Sequence, residues 1–322
     1  MKAAIVQGPG QAPVYLDFEE PVAGAGENLV HVTASAISQN ARSRARGTHY
    51  SSPGEYPFGV GIDGVGRLED GSRVYFVLPR APFGSMADRT VVASSQCLPL
   101  PDDLDDATAA AIANPGMSSW AAYTERARLK PGETVLVNGA TGTAGRLAVQ
   151  IARHLGAKKV IATGRNIDAL ASLATLGADV TIALVEDADA LKASFTAQLA
   201  QGIDVVIDYL WGRSAECLLV AAARAGRDAV PIRFVQVGSL GGQNIALPSA
   251  VLRSSAIELM GSGIGSIPLD RLVNAIDGVL QATIPAGLQI AFKPVPLSAF
   301  AQAWPNDDSR NRTVFVMNGP VA

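Results

Sequence analysis

Gly139, Gly142 and Gly145, three residues apart between an apolar run and a helical pattern, are the residues whose types and spacing point most directly to chemistry. The segment reads Val135-Leu-Val-Asn-Gly139-Ala-Thr-Gly142-Thr-Ala-Gly145-Arg-Leu-Ala-Val-Gln-Ile-Ala-Arg-His-Leu-Gly156, which predicts a buried strand, a glycine turn and an amphipathic helix. The start of a helix offers N–H groups that lack intrahelical partners, at the positive end of its dipole. Glycines let an anion come close to that backbone, so this order of elements builds a diphosphate site. A second strand, Lys159-Val-Ile-Ala-Thr163, follows at the spacing of a βαβ unit. Gly139, Thr141, Gly142, Thr143, Ala144 and Gly145 are therefore expected to bind a dinucleotide. Two other glycine-rich stretches, Gly59-Val-Gly61-Ile-Asp-Gly64-Val-Gly66 and Gly261-Ser-Gly263-Ile-Gly265, are read as structural. The first lies among β-type segments and the second runs into Pro268, so neither opens a helix.

The choice of dinucleotide falls at the end of the second strand, where an acid would bind the ribose 2′-hydroxyl of NAD. Here that place reads Gly164-Arg165-Asn166. No acid is present to repel a 2′-phosphate, and the planar Arg165 guanidinium suits pairing with one or stacking on adenine, so the cofactor expected is NADP. The plainer alternative makes Arg165 a solvated loop residue and Asn166 a helix cap. Ligands of open α/β sheets bind at the carboxyl ends of strands. The loop Asp208-Tyr209-Leu210 after a fourth strand, and Val237, Gly238 and Ser239 after a fifth, are therefore expected to complete the cofactor site.

The elements that must position these residues follow from pattern. Residues 2–7, 28–37, 58–68, 73–77 and 86–92 are short apolar alternations broken by Gly and Pro, as in antiparallel strands of a β unit. Asp102-Asp-Leu-Asp105 leads into a short helix. From about Met117 the rhythm becomes alternating helix and strand, the pattern of a doubly wound parallel sheet. Helices are expected over 118–128, 167–175, 188–200 and 269–281, and strands over 134–138, 180–183, 203–207, 233–237 and 257–261. The tail at 292–297 and 313–317 regains strand character, so the chain is expected to return to its first domain.

The 322 residues, 48% of them hydrophobic, suit a globular protein of about two domains of roughly 150 residues each. With 17% charged residues and a net charge of -3 there is no basic field to hold nucleic acid. No apolar run reaches a membrane span, the N-terminus does not read as a signal segment, and two cysteines, Cys97 and Cys217, suit a reducing compartment; the expected location is cytoplasmic.

The residues around the glycine turn resemble the zinc-free quinone oxidoreductase branch of the medium-chain dehydrogenase/reductase superfamily, over nearly the whole chain. The likeness is carried by Leu129-Lys-Pro-Gly132-Glu-Thr-Val-Leu-Val, Ala152-Arg-His-Leu-Gly156-Ala, Leu176-Gly177-Ala178-Asp179 and Asp204-Val-Val-Ile-Asp208. It implies an α/β protein with a GroES-like β domain over 1–117, completed by a return segment over 266–322. A Rossmann domain over 118–265 lies between them in sequence, with the active site in the cleft and a homodimer as the usual assembly. Residues 257–261 form the natural strand to continue the sheet across a two-fold axis. Where zinc-dependent members carry their ligands, this chain has Ser38, Gly61-Ile62-Asp63 and Asn114-Pro115, without Cys or His, so no metal is expected.

Without a Lewis acid, alkoxide formation from a simple alcohol has little support. A quinone or α,β-unsaturated carbonyl spreads its charge as an enolate that a few hydrogen-bond donors can hold. By resemblance Tyr50 lines the substrate cleft, Ser38 takes the place beside the nicotinamide and Ser118 contacts it, with Asn40 compensating for polar residues that are missing. The alternative for Tyr50 is a loop aromatic covering the β domain, and for Ser38, Asn40 and Ser118 capping is at least an equal alternative. Ser38 stands where relatives often have Asn, and Ala41 where they often have Asp. Several relatives place a Tyr against the 2′-phosphate after the third strand, where this chain has Thr181-Ile-Ala-Leu184. The expected activity is NADPH-dependent reduction of a small apolar quinone, enone or enal. The rival readings are a non-catalytic NADPH-binding redox sensor or structural partner, and a zinc-free alcohol dehydrogenase-like enzyme. A short-chain-type dehydrogenase would need Tyr-x-x-x-Lys, which is absent.

Overall fold

The structure is a computed structural model that describes residues 1–48, 52, 54–308 and 311–317. The chain forms two compact units, Met1–Asn114 with Ile276–Ala322, and Pro115–Ala275. In chain order the first stretch gives β1 (Lys2–Val6), β2 (Val14–Asp17), β3 (Glu27–Ala36), α1 (Gln39–Ala45), β4 (Phe58–Gly59), β5 (Asp63–Arg67), β6 (Arg73–Val77), β7 (Arg89–Ala93), β8 (Cys97–Pro99) and α2 (Asp106–Ala121). The single strand expected over 58–68 is two, because Gly61 turns the backbone at φ +95. A Cβ there would stand 2.2 Å from Ser85 Oγ. Gly64 and Gly66 then bring β5 against β3, where a Cβ would lie 2.8 Å from the Ala34 carbonyl and 2.4 Å from that of His31. This glycine stretch serves packing between strands. Alternate residues of β3, Val30, Val32 and Ala34, are buried, the first two in a core with Phe58, Phe76, Met86, Phe300 and Phe315.

Two helices expected at either side of Pro115 are one. α2 runs through Pro115 and continues as a π turn over Ala122–Ala127, ending at Arg128 in the left-handed region. A proline lacks the N–H that would bond the carbonyl four residues earlier, which ordinarily breaks a helix. Here that carbonyl, on Ala111, accepts from Nη1 of the buried Arg312, so the orphaned acceptor has a partner.

The second unit contains β9 (Thr134–Asn138), α3 (Thr143–His154), β10 (Lys159–Gly164), α4 (Ile167–Ala171), β11 (Val180–Ala183), α5 (Ala188–Leu199), β12 (Val205–Asp208), α6 (Gly212–Ala225), β13 (Ile232–Gln236), α7 (Ser249–Arg253) and β14 (Ile257–Gly261). Its six strands are parallel in the order β11-β10-β9-β12-β13-β14. β9 is buried at every position, which explains its unbroken apolar run. α6 was not expected from pattern, because its Ala-rich sequence carries few polar residues to mark a face. Leu218 and Leu219 pack in one core with Phe195 of α5.

The chain returns through α8 (Leu269–Thr283), β15 (Phe292–Pro296), α9 (Phe300–Ala303) and β16 (Arg312–Val316). β16 pairs antiparallel with β3, so the final strand joins the seven-stranded sheet of the first unit. Among the described residues no helix is long and apolar enough to cross a membrane.

Candidate functional site

The carboxyl end of β9 and the start of α3 divide three tasks among three glycines. Gly139 turns the chain at φ +89, and a Cβ there would lie 2.8 Å from Leu210 Cγ. Gly145 lets α3 close on the turn, since a Cβ would stand 2.4 Å from the Gly139 carbonyl oxygen and 2.6 Å from Ala140 Cα. Gly142, between them, has no heavy atom within 4 Å of a Cβ position and opens α3 without a side-chain cap. The start of α3 at Gly142 thus meets open space at the positive end of a twelve-residue helix. Uncapped first-turn amides beside clear space are the conditions a diphosphate needs, so the residues present fit a dinucleotide. Gly164 completes the cradle from β10, where a Cβ would lie 2.4 Å from Thr141 Cγ2.

The next residue, Arg165, is exposed and has no polar partner among the described residues. Asn166 takes the capping part, its Oδ1 accepting from the Ala169 N–H at 2.8 Å at the start of α4.

A buried polar network joins these strand ends. Thr163 Oγ1 accepts from the Gly139 N–H at 3.0 Å and donates to Asn138 Oδ1 at 2.7 Å. Asn138 Nδ2 donates to Asp208 Oδ1 at 2.8 Å and to Ser214 Oγ at 3.0 Å. Burial pushes the Asp208 carboxyl above its ordinary range, opposed by the N–H groups of Leu210 and Trp211 and the amide of Asn138. Asn138 and Thr163 were not among the expected site residues, and Asp208 was expected only as the first residue of a cofactor loop. The sequence does carry a signal for them, a polar residue at or near the end of an otherwise apolar strand.

The expected loops after β12 and β13 lie against each other. The Tyr209 hydroxyl is 3.4 Å from Ser118 Oγ, which itself donates to the Pro115 carbonyl at 2.8 Å. Burial drives the Tyr209 phenol up to about 12, so it remains a neutral donor at physiological pH. Gly238 passes close enough to Tyr209 that a Cβ would stand 2.8 Å from its carbonyl oxygen. The Val237 N–H donates to the Asp208 carbonyl at 2.7 Å, and Ser239 Oγ accepts from Gln243 Nε2 at 3.2 Å.

In the first unit, Ser38 is the N-cap of α1, its Oγ accepting from the Ala41 N–H at 3.0 Å. Asn40 Oδ1, two residues along, is buried without a partner among the described residues. Tyr50 lies outside the described residues. The positions that would correspond to zinc ligands do not suit a metal. The Ser38 oxygen is engaged as a cap, Ile62 is apolar, and Asn114 Nδ2 donates to Asp63 Oδ1 at 3.4 Å. Asp63 Oδ2 accepts from the Tyr75 hydroxyl at 2.6 Å, and burial raises its carboxyl against the pull of the Arg312 charge. Among the described residues no three His, Cys, Asp or Glu side chains gather as a metal site.

A family profile described as zinc-binding dehydrogenase matches residues 144–281. A probable NADPH-dependent quinone reductase, tdiC, of Emericella nidulans is 28% identical over 350 residues, covering 95% of this chain and 96% of that protein. A 2-haloacrylate reductase of a Burkholderia species is 28% identical over 259 residues, with 73% of this chain and 76% of the relative covered. Among solved structures, the quinone oxidoreductase of Thermus thermophilus, crystallised also with NADPH, is similar at a TM-score of 0.80 and 26% identity over 98% of this chain and 100% of that one.

Proposed function

We propose that the chain, which is similar to quinone oxidoreductases over nearly its whole length, is an NADPH-dependent reductase of a small apolar quinone or α,β-unsaturated carbonyl. The observation that carries this reading is the uncapped start of α3 at Gly142, with Arg165 rather than an acid at the end of β10. Quinone reduction and 2-haloacrylate reduction, the activities for which these relatives are named, share an activated double bond as hydride acceptor and favour the same class.

Bound NADPH supplies the hydride. The first-turn N–H groups of α3 hold its diphosphate, and the Arg165 guanidinium pairs with the 2′-phosphate through charge-assisted hydrogen bonds. Ser118, Tyr209 and the backbone from Val237 to Ser239 line the remainder of the cofactor, with Tyr209 kept neutral by burial. On the substrate side the proposed donors are Tyr50, Ser38 and the Asn40 amide. The Ser38 oxygen already accepts from Ala41, which leaves its hydroxyl hydrogen free to donate to the substrate oxygen as negative charge develops there. The reading includes a homodimer formed through β14 and a cytoplasmic location, which two free thiols favour.

The test mixes purified protein and NADPH with a panel of quinones, enones and enals while reduced-nicotinamide absorbance is followed. Oxidation of NADPH with members of the panel, and little with saturated alcohols run in reverse, is expected. Tight NADPH binding with no turnover across the panel would favour the redox-sensor alternative.

A further inference from the structure

Asp208 is a buried carboxylate to which the chemistry above assigns no part, yet three turns of the nucleotide-binding unit converge on it. Its Oδ1 accepts from Asn138 Nδ2 at 2.8 Å, from the Leu210 N–H at 3.0 Å and from the Trp211 N–H at 3.2 Å. Its Oδ2 also accepts from the Trp211 N–H, at 3.1 Å. From Asn138 the bonds continue through Thr163 Oγ1 to the N–H of Gly139, the first glycine of the phosphate turn. The Asp208 carbonyl accepts from the N–H groups of Val237 and Gly238 at 2.7 and 3.1 Å. One residue therefore ties together the turns after β9, β12 and β13.

Trp211 shows how firmly this anchor acts. Its backbone sits at φ 57 and ψ −154, a region disfavoured for a bulky side chain and held only where surrounding bonds impose it. The two oxygens of Asp208 impose it here. The neighbouring Leu210 lies over Gly139, as the 2.8 Å approach of a Gly139 Cβ to Leu210 Cγ records. The conformation after β12 and the conformation of the phosphate turn are thus set together.

We propose that Asp208 is a positioning residue for nucleotide binding. Through Asn138 and Thr163 it fixes the Gly139 N–H, and through Leu210 and Trp211 it fixes the side chain that covers the turn, so the diphosphate cradle is formed before the nucleotide arrives. Oδ1 meets all three donors, and Oδ2 meets only the Trp211 N–H. An asparagine at this position turns an NH2 group toward the Trp211 N–H from the Oδ2 place, or toward Asn138 Nδ2 and the N–H groups of Leu210 and Trp211 from the Oδ1 place, so donor faces donor in either orientation.

The proposal rests on the NADPH reading, and its experiment separates the two. The NADPH dissociation constant, KM, kcat and melting temperature are measured for wild type, Asp208→Asn and Asp204→Ala. Amide hydrogen exchange at Gly139 and Leu210 is followed without nucleotide. Asp204 accepts from the Thr134 N–H at 2.8 Å at the other end of the same sheet region and serves as the structural control. Asp208→Asn is expected to raise the NADPH dissociation constant and KM about tenfold or more, with kcat altered far less, and to speed exchange at both amides. Asp204→Ala is expected to lower the melting temperature with KM unchanged. Wild-type affinity and amide protection in Asp208→Asn, or an equal loss of affinity in Asp204→Ala, would each overturn the proposal. If wild type itself ignores NADPH, the functional reading fails, while amide protection still decides whether Asp208 holds the turn.

Discussion

Gly142 and Gly145 stand one helical turn apart and are glycine for different physical reasons. At Gly145 a methyl group would meet the backbone of Gly139 and Ala140, at 2.4 and 2.6 Å, and neither atom can give way without moving the turn. At Gly142 the backbone is extended and a methyl group would meet nothing within 4 Å, so the protein without ligand gains nothing from glycine there. Gly142→Ala is accordingly expected to leave the melting temperature nearly unchanged while weakening NADPH about tenfold or more, because the methyl group occupies the path of the diphosphate. Gly145→Ala is expected to lower both stability and affinity. Thermal melts paired with a fluorescence titration distinguish the two patterns. Arg165 raises a separate question at the same scale, since its guanidinium is exposed and has no protein partner among the described residues. Arg165→Ala is expected to cost about 1.5–3 kcal/mol of NADPH affinity with NADH affinity nearly unchanged. Equal weakening of both nucleotides would show that the side chain does not contact the 2′-phosphate.

α2 illustrates how an element can depend on a residue far along the chain. Pro115 removes one N–H from the helix, and the Ala111 carbonyl left behind is bonded by Arg312, which arrives on β16. The same guanidinium donates through Nε to the Ile37 carbonyl at 2.7 Å, immediately before the Ser38 cap of α1. Its charge also faces the buried Asp63 carboxylate. Arg312→Met preserves much of the volume but strands a buried carboxylate and two carbonyls, so a loss of about 3–5 kcal/mol is expected in denaturant unfolding. A loss below about 1 kcal/mol would mean that water replaces the guanidinium without difficulty. The central strands β9 and β12 of the nucleotide-binding unit are buried at every position by their own apolar runs.

At the scale of the molecule the open question is assembly. β14 is an edge strand of the six-stranded sheet, and Leu259 at its centre is 37% exposed. An unpaired edge of this kind is a template for pairing with a second copy. A homodimer that continues the sheet through β14 brings two Leu259 side chains to one seam on the two-fold axis. Leu259→Lys then sets like charges opposite each other, and sedimentation is expected to find a monomer. Persistence of the dimer would remove β14 from the interface.

Local pattern alone determined the βαβ unit, its glycine turn, the parallel strands and the return of the chain to its first sheet. Each of these follows from the order of apolar, small and polar residues within about one or two elements, which is the range over which periodicity acts. The single helix across Pro115 was not legible, because the donor that rescues Ala111 lies 201 residues away. The same holds for the Ser118–Tyr209 contact, 91 residues apart, and for the bonds from Asn138 to Thr163 and Asp208, across 25 and 70 residues. Spacing in the chain announces that a phosphate turn will form. Which buried groups hold that turn still is decided only when separate strands come side by side, since a hydrogen bond depends on distance in space and not on separation in sequence.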